Sequence, residues 1–330
     1  MDASESEMMM KPIGGYFEWE FPQLRDFELH DRSVLLNSGR HSLEYILRGL
    51  GHVKKLYIPY FTCEVVLQPL TRLQIPYSFY HIDENLEIAN QIQLTDCEYI
   101  LYTNYYGIKD VYVADLIKIY GDQLIIDNAQ ALYAPSYAQA NQFYSPRKFM
   151  GMPDGGIAVT NFPSYAEDLP LDESWNRCSH LLKRHELIPS EGYMDFRENS
   201  KKVAETALRR MSELSRHILQ SVDLYAIRSR RLANFNKLHE SLGSDNRLSI
   251  PSVDSFACPL VYPYWTDDAD LKKRLISNNI FVATYWPNVL EWCKEADVEY
   301  QLTSNIVCIP IDQRYDQEDM NRIIKIVQDR

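Results

Sequence analysis

Residues 142–161 read QFYSPRKFMGMPDGGIAVTN, and the rest of the chain is best understood outward from them. Lys148 stands between an apolar strand-like start and a Gly155–Gly156 turn that leads back into a second strand, IAVTN. A lysine on an open surface is only a solvated cation, but one confined between a strand end and a turn is a candidate amine nucleophile. Ser145, three positions earlier, and Arg147 beside it supply a hydroxyl and a charge suited to a phosphate.

Upstream, the chain alternates helix and strand. HSLEYILRGLG places Leu43, Ile46, Leu47 and Leu50 at helical spacing and ends in Gly51. KKLYIPY is a short apolar run closed by Pro59. TCEVVLQPLTRL reads as helix, PYSFYHID and CEYILYTNYYG as strands, DVYVADLIKIYG as helix, and DQLIIDNAQAL as a strand running into a loop. Such alternation builds a mostly parallel sheet flanked by helices, with ligand sites beyond the carboxyl ends of the strands. Asp127 falls at such an end. A carboxylate there either holds a protonated ring nitrogen or a metal, or serves as an ordinary turn residue. Asn37-Ser38-Gly39-Arg40 stands directly before a helix, where exposed N–H groups receive an anion, although Ser-Gly is also an ordinary N-cap. Tyr60-Phe61-Thr62-Cys63 follows a strand, so its aromatics could stack on a flat ligand or pack in the core.

Composition narrows the classes. The 330 residues carry 34 Lys plus Arg against 46 Asp plus Glu, a formal charge of −12, which argues against nucleic acid as a partner. With 45% hydrophobic and 24% charged residues the chain is that of an ordinary globular protein. No uncharged apolar run approaches the ~18 residues of a membrane span, and MDASESEMMM lacks the parts of a signal peptide, so a cytoplasmic protein is expected. Six cysteines without a CxxC pair fit reduced thiols rather than a metal site. Glycine is scarce, and both GxGxxG and Walker loops are missing.

Beyond residue 165 the pattern changes. Residues 200–240 lack Gly and Pro and repeat apolar side chains from Ala204 to Tyr225, which predicts one long helix or two in series with a solvated basic face. ACPLVYPYW reads as strand, DADLKKRLISNN and QEDMNRIIKIVQDR as helices, together a small α+β unit. Residues 1–32 carry no clear periodicity, and GGYFEWEFP suggests an aromatic arm that packs on something.

A lysine, a carboxylate for a ring nitrogen, anion donors and something flat together match the needs of pyridoxal phosphate. From about residue 33 to the C-terminus the chain resembles the DegT/StrS-type nucleotide-sugar aminotransferases, fold type I pyridoxal-phosphate enzymes. NSGRHSLEYILRGLG is similar to that family's Ser-Gly-Thr opening and helix, LYIPYFTCEVVLQPL to its Pro-x-x-Thr segment, and YYGIKD to its Tyr-Gly-x-x-x-Asp step. IIDNAQAL is similar to its Glu-Asp-Ala-Ala-Gln-Ala segment, and KFMGMPDGGIAVTN matches its spacing from Lys to Gly-Gly.

The resemblance implies an α/β, aspartate-aminotransferase-like fold: an arm over 1–32, a large cofactor domain over 33–200 with a mostly parallel mixed sheet, and a linking helix with a small C-terminal α+β domain over 201–330. It implies Lys148 as the cofactor-bearing lysine, Asp127 on the ring nitrogen, Gln130 at the ring hydroxyl, and Ser38, Gly39, Arg40 and Ser145 at the phosphate. The family's serine stands five positions before its lysine, not three. Its stacking aromatic is replaced by Cys63, which leaves Cys63, Phe61 and Tyr60 as the candidates. EGYMDFREN stands for the segment that reaches across a homodimer, with Tyr193 and Arg197 as its candidate residues. The implied reaction moves an amino group from glutamate to a nucleotide-linked keto sugar for glycan biosynthesis. Rival readings are a pyridoxal-phosphate-dependent sugar dehydratase, against which the presence of Lys148 argues, and a cofactor-binding homologue without activity.

Overall fold

The computed structural model describes residues 17, 19–22, 30, 32–251 and 257–329. Seven strands make one sheet: β1 (Ser33–Leu36), β2 (Lys55–Pro59), β3 (Tyr77–Tyr80), β4 (Glu98–Thr103), β5 (Leu124–Asn128), β6 (Asn141–Tyr144) and β7 (Gly156–Val159), in the spatial order β1-β7-β6-β5-β4-β2-β3. From β3 to β6 every pairing is parallel, and β7 alone runs against both of its neighbours. Parallel neighbours require crossovers, which α2 (Leu67–Leu73) between β2 and β3 and α3 (Asp110–Tyr120) between β4 and β5 contribute to, while α1 (Gly39–Gly49) leads from β1 to the distant β2. The expected mixed, mostly parallel sheet is the one observed.

Period-two alternation sorts the sheet residues onto two apolar layers. Ile100, Tyr102, Leu124, Ile126, Tyr144 and Ile157 join one buried cluster. Their alternates Leu101, Ile125, Phe143 and Ala158 join the other, together with Leu43, Tyr45, Ile46 and Leu47 of α1. A sheet covered on both faces explains why its strands read as continuous apolar runs.

After the sheet come α4 (Ser179–Glu186), α5 (Pro189–Glu205), α6 (Glu213–Ser221) and α7 (Leu224–Leu242). A two-stranded antiparallel ladder of β8 (Val261–Trp265) and β9 (Ile306–Pro310) follows, with α8 (Leu271–Ser277), α9 (Val289–Trp292), α10 (Val298–Asn305) and α11 (Gln317–Gln328) around it. The first apolar cluster runs without a break from the sheet through Tyr262 and Ile309 to Met320 of α11, so these elements share a core with the large sheet.

Residues 200–240 depart from the expected helix or pair of helices. α5 ends at Glu205, and the next segment runs extended along the outer edge of β1, where Asn37 N–H donates to the Arg209 carbonyl (3.1 Å) and Met211 N–H to that of Leu35 (3.0 Å). Two caps then restart the helices: Ser212 accepts from Ser215 N–H, and Asp223 from Ala226 N–H. An edge strand with free backbone groups captures the intervening residues although nothing in their composition forbids a helix. Most of the 1–32 arm lies outside the described residues. Within it Trp19 stacks on Phe21 (5.2 Å), and His30 stacks on Tyr144 (4.0 Å) while bonding the Leu132 carbonyl. All six cysteines are unpaired. No helix among the described residues is long and apolar enough to cross a membrane.

Candidate functional site

Strand direction gathers the candidate residues. Since β1, β2, β5 and β6 point the same way and β7 the opposite way, one sheet edge carries Asn37–Arg40, Tyr60–Cys63, Asp127–Gln130, Ser145–Lys148 and Gly155. Asp127 pairs in register with Thr103 and Phe143 and shares the face of Ile125 two residues before it, which puts it on the α1 side of the sheet. This is the crevice beyond the strand ends where α/β sheets bind ligands.

The amino end of α1 forms one wall. A Cβ built on Gly39 would stand 3.5 Å from the Ser145 Cβ and 3.8 Å from its Oγ, so the helix start and the segment before Lys148 are in contact. Gly155 N–H donates to the Asn37 carbonyl (2.9 Å), which fastens the Gly-Gly turn to the same helix start. Ser38 caps α1, its Oγ accepting from His41 N–H (3.2 Å). Burial pulls the buried His41 imidazole down to about 4, so it is neutral at pH 7. Its Nε2 meets the Thr206 carbonyl (3.0 Å) and must carry the proton there, which leaves Nδ1 to accept from the Ser38 hydroxyl at 2.9 Å. The Ser38 hydroxyl is thereby committed within the helix. What the site offers an anion here is the amino end of α1 at Gly39 and Arg40, with the Ser145 hydroxyl opposite. The Arg40 guanidinium donates to Gln68 of α2, and its pKa is lowered by burial.

Asp127 forms the floor. Its Oδ1 accepts from Ala129 N–H (2.8 Å), while Oδ2 takes no hydrogen bond from the described residues. Burial raises its pKa, opposed by the Lys148 ammonium and the Ala129 N–H. Lys148 ends the 3₁₀ turn Pro146–Lys148, is exposed, and lies within electrostatic reach of both Asp127 and Cys63. Burial pushes the Cys63 thiol up, so at neutral pH it is an uncharged group beside the lysine. Gln130 is held by Tyr106 N–H, which donates to its Oε1 (2.8 Å), and its buried Nε2 has no partner. Tyr106 sits in the left-handed region (φ 56°), and this backbone turn in YYGIKD aims the N–H at Gln130.

The stacking candidates separate. Phe61 is fully buried between Tyr105 and Trp286 (ring centroids 5.4 and 5.1 Å), and Tyr60 stacks on Phe79 and meets the tilted His81 ring (both 4.6 Å). Only Cys63 of that segment shares the surroundings of Lys148, Asp127 and Arg40. Tyr193 and Arg197 are exposed on α5. His41 and Arg231 were not signalled by the sequence, because their partners stand far along the chain: Thr206 for the first, Leu260 and Gln313 for the second.

A buried amide at Gln130 and a carboxylate oxygen at Asp127, both unpartnered among the described residues, a helix amino end with a hydroxyl opposite, and a lysine amine fit the groups of pyridoxal phosphate. On the outer side of Lys148 a cavity of about 930 Å³ opens between α4, α5, α6 and the turn Asp312–Arg314, and Trp19 and Phe21 of the arm line it.

No family model matches the chain, and no curated protein does. Solved structures do share its fold. NtdA from Bacillus subtilis, solved with bound PMP, superposes with a TM-score of 0.66 at 14% identity over 91% of this chain and 73% of its own. DesV of S. venezuelae superposes with a TM-score of 0.62 at 16% identity over 90% of this chain and 84% of its own. A DegT DnrJ EryC1 StrS aminotransferase from Brucella abortus gives 0.57 at 14% identity, covering 90% and 85%.

Proposed function

We propose that the chain is a pyridoxal-phosphate-dependent sugar aminotransferase that takes its amino group from glutamate and delivers it to a nucleotide-linked keto sugar, working as a cytoplasmic homodimer. The observation that carries the reading is the convergence of Lys148, Asp127 and the unpartnered Gln130 amide on the edge that also holds the amino end of α1. The fold shared with solved aminotransferases such as the one from Brucella abortus supports it, as does the PMP bound in NtdA. Bound pyridoxal phosphate supplies an electron sink for a carbanion at the substrate carbon. The amino end of α1 at Gly39 and Arg40 and the Ser145 hydroxyl would receive the phosphate. Asp127 Oδ2 would keep the ring nitrogen protonated, and Gln130 Nε2 would donate to the ring hydroxyl. Lys148 Nζ would hold the cofactor, and its amine would be the group placed to move a proton on and off the substrate carbon. Its exposure in a single chain accords with a site closed by a second copy, for which the apolar surface of Leu187, Ile188, Tyr193 and Met194 is available.

Borohydride tests the central assignment. Reduction of the yellow protein should fix the cofactor on the peptide holding FYSPRKF, and label on any other lysine would remove Lys148 from its role. Lys148→Ala should retain weak cofactor binding and lose turnover by orders of magnitude, and release of 2-oxoglutarate from glutamate separates transfer from binding alone.

A further inference from the structure

Arg147 stands between Ser145 and Lys148 and, unlike Ser145, faces a cavity that Lys148 also lines. It lines the 930 Å³ cavity on the outer side of the lysine, together with Lys148, His180, Tyr193 and Phe196. Its guanidinium makes no hydrogen bond and no ion pair with the described residues, and its Nε is wholly shielded from solvent. Asp154, the carboxylate within electrostatic reach, is already satisfied by Ser212 N–H (2.9 Å), Ser212 Oγ (2.6 Å) and Ser215 Oγ. The surrounding charge is otherwise cationic, with Arg40 and Arg177 near it and Arg177 taken up by Asp172. Burial holds the guanidinium down to about 10, still charged at pH 7. A half-buried arginine whose Nε is shielded and which has no protein partner among the described residues is placed as a fork for an oxyanion, since planar guanidinium recognises carboxylate and phosphate bidentately.

We propose that Arg147 is the oxyanion receptor of the cavity, holding a carboxylate or phosphate group of the molecule that reacts at Lys148. The inference deepens the proposed function and rests on it only for which molecule carries the anion. It separates Arg147 from the cofactor phosphate, to which its place beside Ser145 in the sequence had pointed. A substrate anion fixed by the residue next to Lys148 would orient the reacting carbon, and a lysine at position 147 could not reproduce the two-pronged contact.

The test uses inorganic phosphate and glutarate as probes, titrated by calorimetry into the full chain, once without and once loaded with pyridoxal phosphate. Wild type should bind one of the two probes in both states. Arg147→Gln, chosen to keep bulk and polarity, should weaken that binding at least tenfold, and Arg147→Lys should recover only part of it. Binding that disappears when pyridoxal phosphate is loaded would return Arg147 to the cofactor phosphate and overturn the proposal. So would binding unchanged in both variants, or no binding of either probe by wild type. A chain that never turns yellow with pyridoxal phosphate, yet binds a probe through Arg147, would refute the aminotransferase reading and leave the receptor standing.

Discussion

Gly156 lies directly against the backbone of Ser38: a Cβ there would fall 2.2 Å from both the carbonyl carbon and the carbonyl oxygen, and 2.6 Å from Ser42 Oγ. Gly155 beside it has φ +143°, open only to glycine without strain. The Gly-Gly pair therefore exists to bring the start of β7 against the amino end of α1. Gly156→Ala cannot be absorbed by a side-chain rotation, because the atoms in its way are backbone. It should destabilise the chain by about 3 kcal/mol and weaken pyridoxal phosphate binding in parallel. Thermal unfolding and a cofactor titration measure both, and a variant matching wild type in each would contradict this packing.

Asp127 should trade stability for function. Burial raises its pKa, so the folded chain without cofactor holds the proton more tightly than the unfolded chain does. Such a group subtracts stability as pH rises from the unfolded carboxylate value through the folded one. Asp127→Asn without cofactor should then be as stable as wild type at pH 7, or more so. Its amino-transfer rate should nevertheless fall at least ~100-fold, about 2.7 kcal/mol of transition-state stabilisation, because a neutral amide leaves the ring nitrogen unprotonated. Transfer at the wild-type rate would make Asp127 a turn residue.

His41 gives the opposite sign. It is a base held down to about 4 from 6.5 by burial, so its contribution is complete above the unfolded value and is lost as pH falls towards the folded one. Between pH 7 and pH 4 the wild type should lose roughly 3 kcal/mol that His41→Gln does not lose. Urea midpoints at the two pH values provide the comparison. Parallel losses in both proteins would show that another group governs the acid limb.

The mostly parallel sheet, and the placing of Asp127 beyond a strand's carboxyl end and of Lys148 between a strand and a Gly-Gly turn, were legible because each depends on local pattern: helix–strand alternation, caps at a helix start, a glycine pair after a lysine. What escaped depends on contacts distant in sequence. The commitment of the Ser38 hydroxyl to His41 follows from the Thr206 carbonyl, and the extended run after Glu205 follows from the free edge of β1. The burial of Phe61 against Trp286 belongs to the same class, since no periodicity joins residues so far apart.

Arg231 of α7 ties the C-terminal elements to the lysine turn and supplies the last prediction. Its Nη1 donates to the Leu260 carbonyl (3.0 Å), its Nε to Gln313 Oε1 (3.1 Å) and its Nη2, at 3.4 Å, to the carbonyl of Phe149, the residue after Lys148. The guanidinium also lies over the Phe149 ring at 4.8 Å, and Gln313 Nε2 donates to the same Phe149 carbonyl (2.8 Å). Arg231→Met keeps the apolar stem but leaves the Leu260 carbonyl and Gln313 Oε1 without this donor, which should cost about 2–4 kcal/mol. Arg231→Lys should rescue little, because one ammonium cannot span the three acceptors of a planar fork. Since Arg231 acts through Phe149 and not on substrate, kcat should fall while the KM for glutamate stays near wild type, and the absorbance of bound cofactor should broaden as Lys148 loses its fixed position. A variant as stable as wild type, with unaltered cofactor absorbance, would show that the lysine turn holds its geometry without this clamp.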